Sequence, residues 1–268
     1  MDTKKNHDTR NTYVLRFLVL ILVATVYWAY TQLLAAGEIY KESDVIITSQ
    51  SSIANKASID GTKFNVPTYQ LFESGGLWEL VSKKNPMKVD GDYDLIAVPV
   101  AHGDTDLEMK IASEISDELQ QLVNAAEGDG EPLMISSAFR SKKEQQELYD
   151  GFVAKNGELL ASQYVSPSGS SEHHTGMSVD LASVSDDCAE DSDTCSLSQS
   201  GAAWLAKNAN RFGFIQRYPE GKQQTTGVAY EPWHFRFVGK PLAKAMNGTD
   251  LTFDEVVLQL APGYAKPR

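Results

Sequence analysis

An apolar run near the start of the chain limits its possible architectures more than any other feature. Phe17 to Tyr30 contains no charged residue, and the apolar stretch continues to Ala36 with two polar interruptions. About 20 residues at a helical rise of about 1.5 Å cross a hydrocarbon core of about 30 Å. The run is apolar on every face, which argues against a helix buried in a soluble core. Residues 13–36 are therefore predicted to form a transmembrane anchor.

The charges on either side of this run give it an orientation. Basic residues precede it and acidic residues follow it, namely Lys4, Lys5, Arg10 and Arg16 before it and Glu38, Glu42 and Asp44 after it. The positive-inside rule then places a cytoplasmic tail at 1–12 and the bulk of the chain on the periplasmic or cell-wall side. A cleaved signal peptide is the alternative, with the small residues of Leu33–Gly37 as a possible cleavage site. We expect a single-pass protein of the cell membrane with an extracytoplasmic domain.

The rest of the chain divides into a polar segment and one large domain. Residues 37–65 are rich in Ser, Lys, Asp and Thr and lack a sustained apolar period, which is typical of a stalk or linker. Residues 66–268 are long enough to bury one sizeable core. The 36 acidic and 24 basic residues give a net charge of -12, which argues against a nucleic-acid partner.

The two cysteines, Cys188 and Cys195, both follow the predicted anchor and enclose a short acidic segment. In an oxidising compartment this arrangement favours a local disulfide. A metal-binding pair is the alternative, but the C-x6-C spacing without a nearby histidine is poor for a metal site. We therefore predict a Cys188–Cys195 disulfide.

The predicted elements of the domain mix short strands with amphipathic helices. Helices are expected at 107–127, 140–157 and 202–214, with a last helix from Leu251 capped by Asp250; strands are expected at 132–139, 178–184 and 233–239. In the second helix, Leu148, Phe152 and Val153 are expected on the inner side. The order of these elements favours an α+β fold over a regular βαβ repeat.

Two of the five histidines combine with an aspartate into a candidate metal site. In SEHHTGMSVD (171–180), a turn at Gly176 allows a strand to carry Asp180 back beside His173, and His234 lies on a later strand. Two imidazoles and one carboxylate suit Zn²⁺, with a fourth position open to a water whose pKa the ion lowers to about 7. Glu231, three residues before His234, is placed to serve as the base.

The residues alone leave other roles open. A histidine beside a tight turn is often a cap or a surface residue, Asp180 could accept hydrogen bonds in a turn, and Glu231 could be a solvated loop charge before Pro232. The helical HExxH motif of many zinc proteases is absent from the sequence. The spacing therefore permits a metal site without requiring one.

Three segments resemble, in the right order, the signatures of VanY-type D-alanyl-D-alanine carboxypeptidases. They are SAFRSKKEQ (137–145), SEHHTGMSVDL (171–181) and FGFIQRYPEGKQQTTGVAYEPWHFRFVG (212–239), and residues 77–100 resemble the region that precedes them. This family lies within the lysostaphin, carboxypeptidase and hedgehog-like metallopeptidase superfamily. The resemblance implies an α+β, hedgehog/DD-peptidase-like fold, with a central antiparallel sheet flanked by helices.

The resemblance also implies a role for each residue of the site. It implies that His173, Asp180 and His234 bind one Zn²⁺ per chain and that Glu231 is the catalytic base. It also implies that Arg140 binds the substrate and stabilises charge in catalysis, and that Gln145 and Ser171 are two further substrate contacts. An arginine suits the free carboxylate of a terminal D-alanine or a developing oxyanion. His174 has no ligand role in the family pattern and is expected in a supporting or solvent-facing position.

These observations predict a zinc carboxypeptidase that trims the terminal D-alanine of peptidoglycan stem peptides, held at the membrane by its N-terminal helix. An L,D-carboxypeptidase or an endopeptidase of the same fold is the nearest alternative. A non-catalytic peptidoglycan-binding module is another, although it would have no need of Glu231. A zinc-stabilised interaction domain is a third, although it would be expected to supply a fourth protein ligand.

Overall fold

The computed structural model describes residues 56–59, 62–65, 72, 74–87, 93–100, 108–184 and 196–261. The predicted anchor at 13–36 and the cysteines Cys188 and Cys195 lie outside the described residues. Among the described residues, none of the helices is both long enough and apolar enough to span a membrane.

The described strands form antiparallel sheets, of which the largest has four strands in the order β5-β6-β8-β7. Two smaller sheets precede it along the chain, β1 with β2 and β3 with β4. The strands are β1 (Lys56–Ile59), β2 (Thr62–Asn65), β3 (Leu95–Ala97), β4 (Lys110–Ala112), β5 (Leu133–Ser137), β6 (Ser178–Ser183), β7 (Phe214–Tyr218) and β8 (Glu231–Phe237).

Helices alternate irregularly with these strands, as expected for an α+β fold. They are α1 (Ser116–Gly128), α2 (Lys142–Asn156), α3 (Glu158–Tyr164), α4 (Gln199–Asn208), α5 (Gln223–Thr226), α6 (Lys240–Met246) and α7 (Phe253–Leu260). Short 3₁₀ turns lie at Ser113–Ile115, Glu172–Thr175 and Ala209–Phe212. The predicted class, α+β with a central antiparallel sheet, is confirmed for the described part of the chain.

Two apolar clusters hold the helices to the large sheet. The first joins Leu119 and Leu122 of α1 to Ile135, Val179 and Phe235 of the sheet. The second joins α6 and α7 to strand β7 and to the segment before β3, through Leu242, Val256, Phe253, Ile215 and Trp78. Because each fully buried side chain of this size contributes roughly 1.5–3 kcal/mol, these clusters stabilise the packing of the helices against the sheet.

The predicted first helix starts later than expected. Lys110–Ala112 is strand β4, and the α-helix begins at Ser116 instead of residue 107. Strand β4 pairs with β3, and the Ala112 N–H donates to the Gly176 carbonyl at 2.9 Å. These long-range hydrogen bonds override a local pattern that suits a helix.

Two details of the predicted helices were wrong. Helix α7 begins at Phe253 and is capped by Thr252, whose hydroxyl and Glu255 form a capping box, while Asp250 pairs with Lys222 at 2.7 Å. In α2, Leu148 is 43% exposed, contrary to its predicted inner position, whereas Phe152 and Val153 are half-buried and Gln145 is buried. That helix borders a cleft, and Leu148 lines this opening instead of a core.

Regular structure also begins before the predicted domain boundary at residue 66. Strands β1 and β2 pair in register from Lys56 opposite Asn65 to Ile59 opposite Thr62, inside the segment predicted as a linker. The sequence between them is Asp60-Gly61, a dipeptide favoured in two-residue hairpin turns.

Candidate active site

Three neighbouring elements bring His173, Asp180 and His234 together. His173 lies on the 3₁₀ turn Glu172–Thr175, Asp180 on β6 and His234 on β8. The register of the two strands places Asp180 directly opposite His234. One potential ligand atom from each residue lies within 4.8 Å of the other two. The predicted ligand set is therefore assembled in space from segments more than fifty residues apart in sequence.

The ring of His173 is oriented by the backbone. Its Nδ1 lies 2.6 Å from the Ala138 carbonyl, which can only accept, so Nδ1 carries the proton. Burial lowers the pKa of His173, which keeps the ring neutral. The unprotonated Nε2 faces Asp180 Oδ2 at 3.3 Å. This is the arrangement that a histidine needs to bind a metal through Nε2.

The ring of His234 directs its Nδ1 toward the Asp180 carboxylate, which Nε2 of His173 also faces. Nδ1 lies 2.9 Å from Asp180 Oδ1 and 3.9 Å from Glu231 Oε2. Burial alone would lower the pKa of His234, but the hydrogen bond to Asp180 and the nearby carboxylate of Glu172 outweigh it and raise the value to about 9. The ring also packs on Tyr218, with centroids 4.9 Å apart. A positive charge is thus stabilised at this point.

The donor set fits a divalent cation. Burial would raise the pKa of Asp180, but His234, whose Nδ1 lies 2.9 Å from Oδ1, holds it well below its usual range, so the carboxylate is ionised. Without a metal, the protonated His234 ring supplies the positive charge that pairs with the Asp180 carboxylate. A metal ion bound by His173 Nε2, Asp180 and His234 Nδ1 would displace the proton from Nδ1 and supply that positive charge instead. Two imidazoles and one carboxylate are a common set for catalytic zinc.

Glu231 begins strand β8 and lies at the edge of this cluster. Glu231 is 8% exposed, and burial raises the pKa of its carboxyl group to about 7. The negative charge of nearby Asp180 also raises this pKa. A carboxyl that titrates near neutral pH can take up a proton and release it within one reaction cycle. The geometry therefore supports the predicted acid–base role.

Arg140 follows strand β5 and is held by two side chains. Its Nη1 donates to Gln145 Oε1 at 2.8 Å and its Nη2 to Ser137 Oγ at 2.7 Å. The Gln145 amide in turn donates to the Ser166 carbonyl at 2.6 Å. Gln145 thus orients the arginine, while the remaining N–H groups of the guanidinium are available for a substrate.

One cleft contains all of the predicted site residues. It is lined by Arg140, Gln145, Ser171, His173, Asp180, Glu231 and His234, together with Leu148, Tyr164, Tyr218, Val228 and Trp233. Trp233 is 38% exposed, so it forms part of the cleft wall. The cleft therefore combines a metal-binding group, a base and an arginine with apolar walls.

His174 supports the site from behind. It is 4% exposed, and its Nδ1–H donates to the Arg140 carbonyl at 2.7 Å while its Nε2 accepts from the Gly169 N–H at 3.0 Å. The predicted supporting position is correct, and the solvent-facing alternative is wrong. The side chain joins the backbone of the arginine to the loop before Ser171.

The sequence reasoning missed Glu172, Arg217 and Arg236. Their side chains are fully buried, and both arginines pair with Glu172. Burial would raise the pKa of Glu172, but Arg217 and Arg236 hold it well below its usual range. The one signal in the sequence was that each arginine lies next to an aromatic residue within a predicted or observed strand, in FIQRY and in HFRF.

Comparison with known proteins agrees with this geometry. The family model described as VanY, D-alanyl-D-alanine carboxypeptidase, matches residues 108–240. One similar protein of known crystal structure is a mutant of the vancomycin-resistance D,D-pentapeptidase VanY in complex with Zn(II), whose sequence is 31% identical to this chain. It superposes with a TM-score of 0.58, which covers 67% of this chain and 98% of that one. The site and fold define a metallopeptidase of the α+β type. More specifically, this chain belongs to the family of VanY-type D-alanyl-D-alanine carboxypeptidases.

Two further relatives extend the comparison. The structure of the LD-carboxypeptidase LdcB, described as revealing peptidoglycan recognition, superposes with a TM-score of 0.60 at 29% identity, covering 77% of this chain and 94% of that one. The Bacillus subtilis protein YodJ is 37% identical over 145 residues, 54% of this chain and 52% of YodJ. The chain thus spans about half the length of YodJ.

Proposed function

We propose that this chain is a zinc-dependent carboxypeptidase that removes the terminal D-alanine from peptidoglycan stem peptides. The observation that carries the proposal is the group of three ligand atoms within 4.8 Å of one another, from His173, Asp180 and His234, with the buried Glu231 beside them. Membership of the VanY-type family supports the substrate class.

His173 Nε2, an Asp180 oxygen and His234 Nδ1 would hold one zinc ion. When bound, the ion supplies a Lewis acid for the carbonyl and lowers the pKa of water. The protein residues then have two tasks, to move a proton and to hold the substrate. Three protein ligands leave a position open for the reactants.

Glu231 performs the proton transfers. Its carboxylate accepts a proton from the attacking water, and its carboxyl then donates that proton to the nitrogen of the departing D-alanine. Because burial raises the pKa of Glu231 to about 7, its carboxyl group can both accept and release a proton near neutral pH.

Arg140 holds the negative charge of the substrate. Gln145 and Ser137 fix its guanidinium plane at the cleft, so its free N–H groups can pair with the terminal carboxylate or the developing oxyanion. Ser171, which is 6% exposed at the cleft, provides a further hydrogen-bonding group for the peptide.

The decisive experiment incubates the full chain with a stem pentapeptide ending in D-Ala-D-Ala. We expect release of D-alanine that a chelator abolishes and added zinc restores. Glu231→Gln is expected to lower the rate by about 10²–10⁴-fold while zinc content stays unchanged. Full hydrolysis and full zinc content in His173→Ala would show that the metal site is wrongly assigned.

An L,D-carboxypeptidase acting on tetrapeptides is the second candidate, and the likeness to LdcB favours it. The same incubation with a stem tetrapeptide separates the two activities. D-Alanine released from the tetrapeptide but not from the pentapeptide would select the L,D-activity. Cleavage of cross-linked peptides alone would indicate an endopeptidase, and binding without cleavage a recognition module.

We also propose that residues 13–36 anchor the chain in the membrane, with the domain on the extracytoplasmic side. The uncharged run from Phe17 to Tyr30 and the basic residues before it support this proposal. Protease treatment of intact cells or spheroplasts tests it. We expect the domain to be degraded and the 1–12 tail to be protected.

The Cys188–Cys195 disulfide remains a proposal that the outer location supports. Mass spectrometry after alkylation, with and without reductant, tests it. Blocked thiols that become reactive only after reduction are expected; two free thiols in the protein isolated from its own compartment would contradict it.

A further inference from the structure

Glu172 is a buried carboxylate beside the site to which the proposed reaction gives no task. Its side chain is 0% exposed. Its Oε1 lies 2.8 Å from Arg217 Nε and 3.3 Å from Arg236 Nη1, and its Oε2 accepts from Ser178 Oγ at 3.3 Å. Burying three charged side chains is costly unless their geometry is well satisfied. Such a cluster next to a metal site is therefore a candidate for a role in that site.

The cluster extends to the last helix of the described chain. Arg217 Nη1 lies 2.6 Å from Asp254 Oδ2, on the second residue of α7. Arg236 Nη2 donates to the Leu77 carbonyl at 3.1 Å. Both guanidinium groups also lie over the Phe253 ring, at 5.7 and 5.5 Å from its centroid. The position of Glu172 is thus set by α7, by the strands β7 and β8, and by the segment before β3.

On its other side, Glu172 faces the metal ligand His234. The distance from Glu172 Oε2 to His234 Nε2 is 3.7 Å. Within the described part of the chain, this buried Nε2 has no hydrogen-bond partner. Its other ring nitrogen, Nδ1, faces Asp180 and Glu231.

A neutral imidazole has one N–H and one lone pair. If Nδ1 of His234 binds the metal, the proton must be on Nε2, the atom that faces Glu172. A carboxylate in that position accepts the proton in a hydrogen bond and thereby selects the ligating tautomer. The 3.7 Å separation requires only a small shift of the ring to reach hydrogen-bond distance.

We infer that Glu172 is a positioning residue that holds His234 with Nε2 protonated and Nδ1 free for the metal, and that Arg217 and Asp254 hold Glu172 in place. The inference rests on the proposed function, since it takes His234 as a ligand. Asp254 lies outside residues 108–240, the part that the family model matches. The metal site therefore depends on a helix beyond the signature segments.

The first test reads the tautomer directly in the unaltered full chain. Long-range ¹H–¹⁵N correlation spectra of the zinc-loaded protein distinguish a protonated from a metal-bound ring nitrogen. We expect His234 to show a protonated Nε2 and a metal-bound Nδ1. Protonation of Nδ1 would overturn the inference, and this readout needs no variant to fold.

The second test is the substitution Glu172→Gln in the full chain. The amide oxygen must still accept from Arg217, so the NH₂ group turns toward His234 Nε2 and favours the wrong tautomer. We expect zinc affinity, measured by competition with a chelator, to fall about 10–100-fold. The matched control is Glu79→Gln, which neutralises another buried carboxylate, bonded to the Tyr93 hydroxyl at 2.6 Å, and should leave affinity unchanged.

A third variant, Asp254→Asn, tests the far end of the cluster. We expect it to weaken zinc binding in the same direction as Glu172→Gln but by a smaller factor, with folding checked by circular dichroism. Unchanged zinc affinity in a folded Glu172→Gln protein would overturn the inference while leaving the proposed function intact. If the unaltered chain neither binds zinc nor releases D-alanine, the proposed function itself fails.

Discussion

At the residue scale, the chemistry of the site depends on which nitrogen of each histidine carries the proton. For His173 the acceptor is a backbone carbonyl, that of Ala138, so no side-chain substitution can remove it. For His234 the acceptor that we infer is a side chain, Glu172, whose Oε2 lies 3.7 Å from Nε2. The two ligands are therefore oriented by different means, and only one of the two can be tested by direct replacement of the acceptor.

Arg140 provides a second test at this scale, through the substitution Arg140→Lys. A lysine keeps the charge but cannot donate to Gln145 and Ser137 while presenting a planar fork to the substrate. We expect kcat/KM for the pentapeptide to fall on the order of 10²–10³-fold, the loss typical of an oxyanion donor. Zinc content serves as the control and should be unchanged; wild-type kcat/KM would contradict the role.

At the scale of elements, the turn before β6 brings His173 and Asp180 together. Gly176 has φ +67°, and a Cβ on it would lie 2.8 Å from the backbone N of Ala112. The two backbones lie this close because the Ala112 N–H donates a hydrogen bond to the Gly176 carbonyl, which joins β4 to the turn. A glycine is required both for the conformation and for the contact.

We therefore predict that Gly176→Ala destabilises the fold by at least about 1–2 kcal/mol, the cost of a left-handed residue with a Cβ. It should also weaken zinc binding because His173 is displaced. Thermal unfolding and chelator competition measure the two effects. The control is Gly151→Ala in α2, where a Cβ meets nothing within 4 Å. That change should be neutral or stabilising by up to about 1 kcal/mol.

The start of α2, which follows Arg140, is held by a capping box. Ser141 accepts from the Glu144 N–H at 3.2 Å, and Glu144 Oε2 accepts from the Ser141 N–H at 2.7 Å. The hydrogen bonds from Ser141 lower the pKa of Glu144 below its ordinary value of 4.5. Ionised Glu144 thus stabilises the helix that carries Gln145.

Ser141→Ala is predicted to cost about 1 kcal/mol of stability at neutral pH. The sign of the pH effect follows from the lowered pKa. The stabilisation by Glu144 is complete above its unfolded-state value near 4.5 and is lost as pH falls through the lower folded-state value. The difference in melting temperature between wild type and variant should therefore shrink as pH falls below about 4.5; a constant difference would contradict this account.

At the scale of the whole molecule, the metal site joins parts of the fold that are distant in sequence. Strand β6, strand β8 and the Glu172–Thr175 turn each supply one ligand. The buried charges behind them reach α7 and the segment before β3. Binding of the ion should thus stabilise the whole described domain and not one loop.

Zinc is accordingly predicted to raise the melting temperature of the full chain. Stabilisation should reach about 2.7 kcal/mol when free zinc is about 100 times Kd, because only the folded chain assembles the three ligands. Calorimetry over a zinc titration measures it. His173→Ala is the control and should show a much smaller shift; equal shifts in both proteins would locate the binding elsewhere.

Several predictions from the sequence failed where distant contacts replaced a local preference. Lys110–Ala112 fits a helix by its apolar spacing, but pairing with β3 makes it a strand. Asp250 suits a helix cap, yet Thr252 forms the capping box. Leu148 has the spacing of a core residue, but its helix borders the cleft. Local patterns rank conformations of a segment, and its partners decide among them.

The sequence by itself determined the α+β class, because the order of its periodic segments favours that class. It also predicted the three ligands, the base and the arginine, because three of its segments resemble one family and these residue types suit those roles. Only the tertiary structure decided how these groups are held. Glu172 and Arg217 are 45 residues apart, and Arg217 and Asp254 are 37 apart. No local pattern relates such positions, since strand register and helix packing bring them together. The orientation of His234 therefore depends on the complete fold.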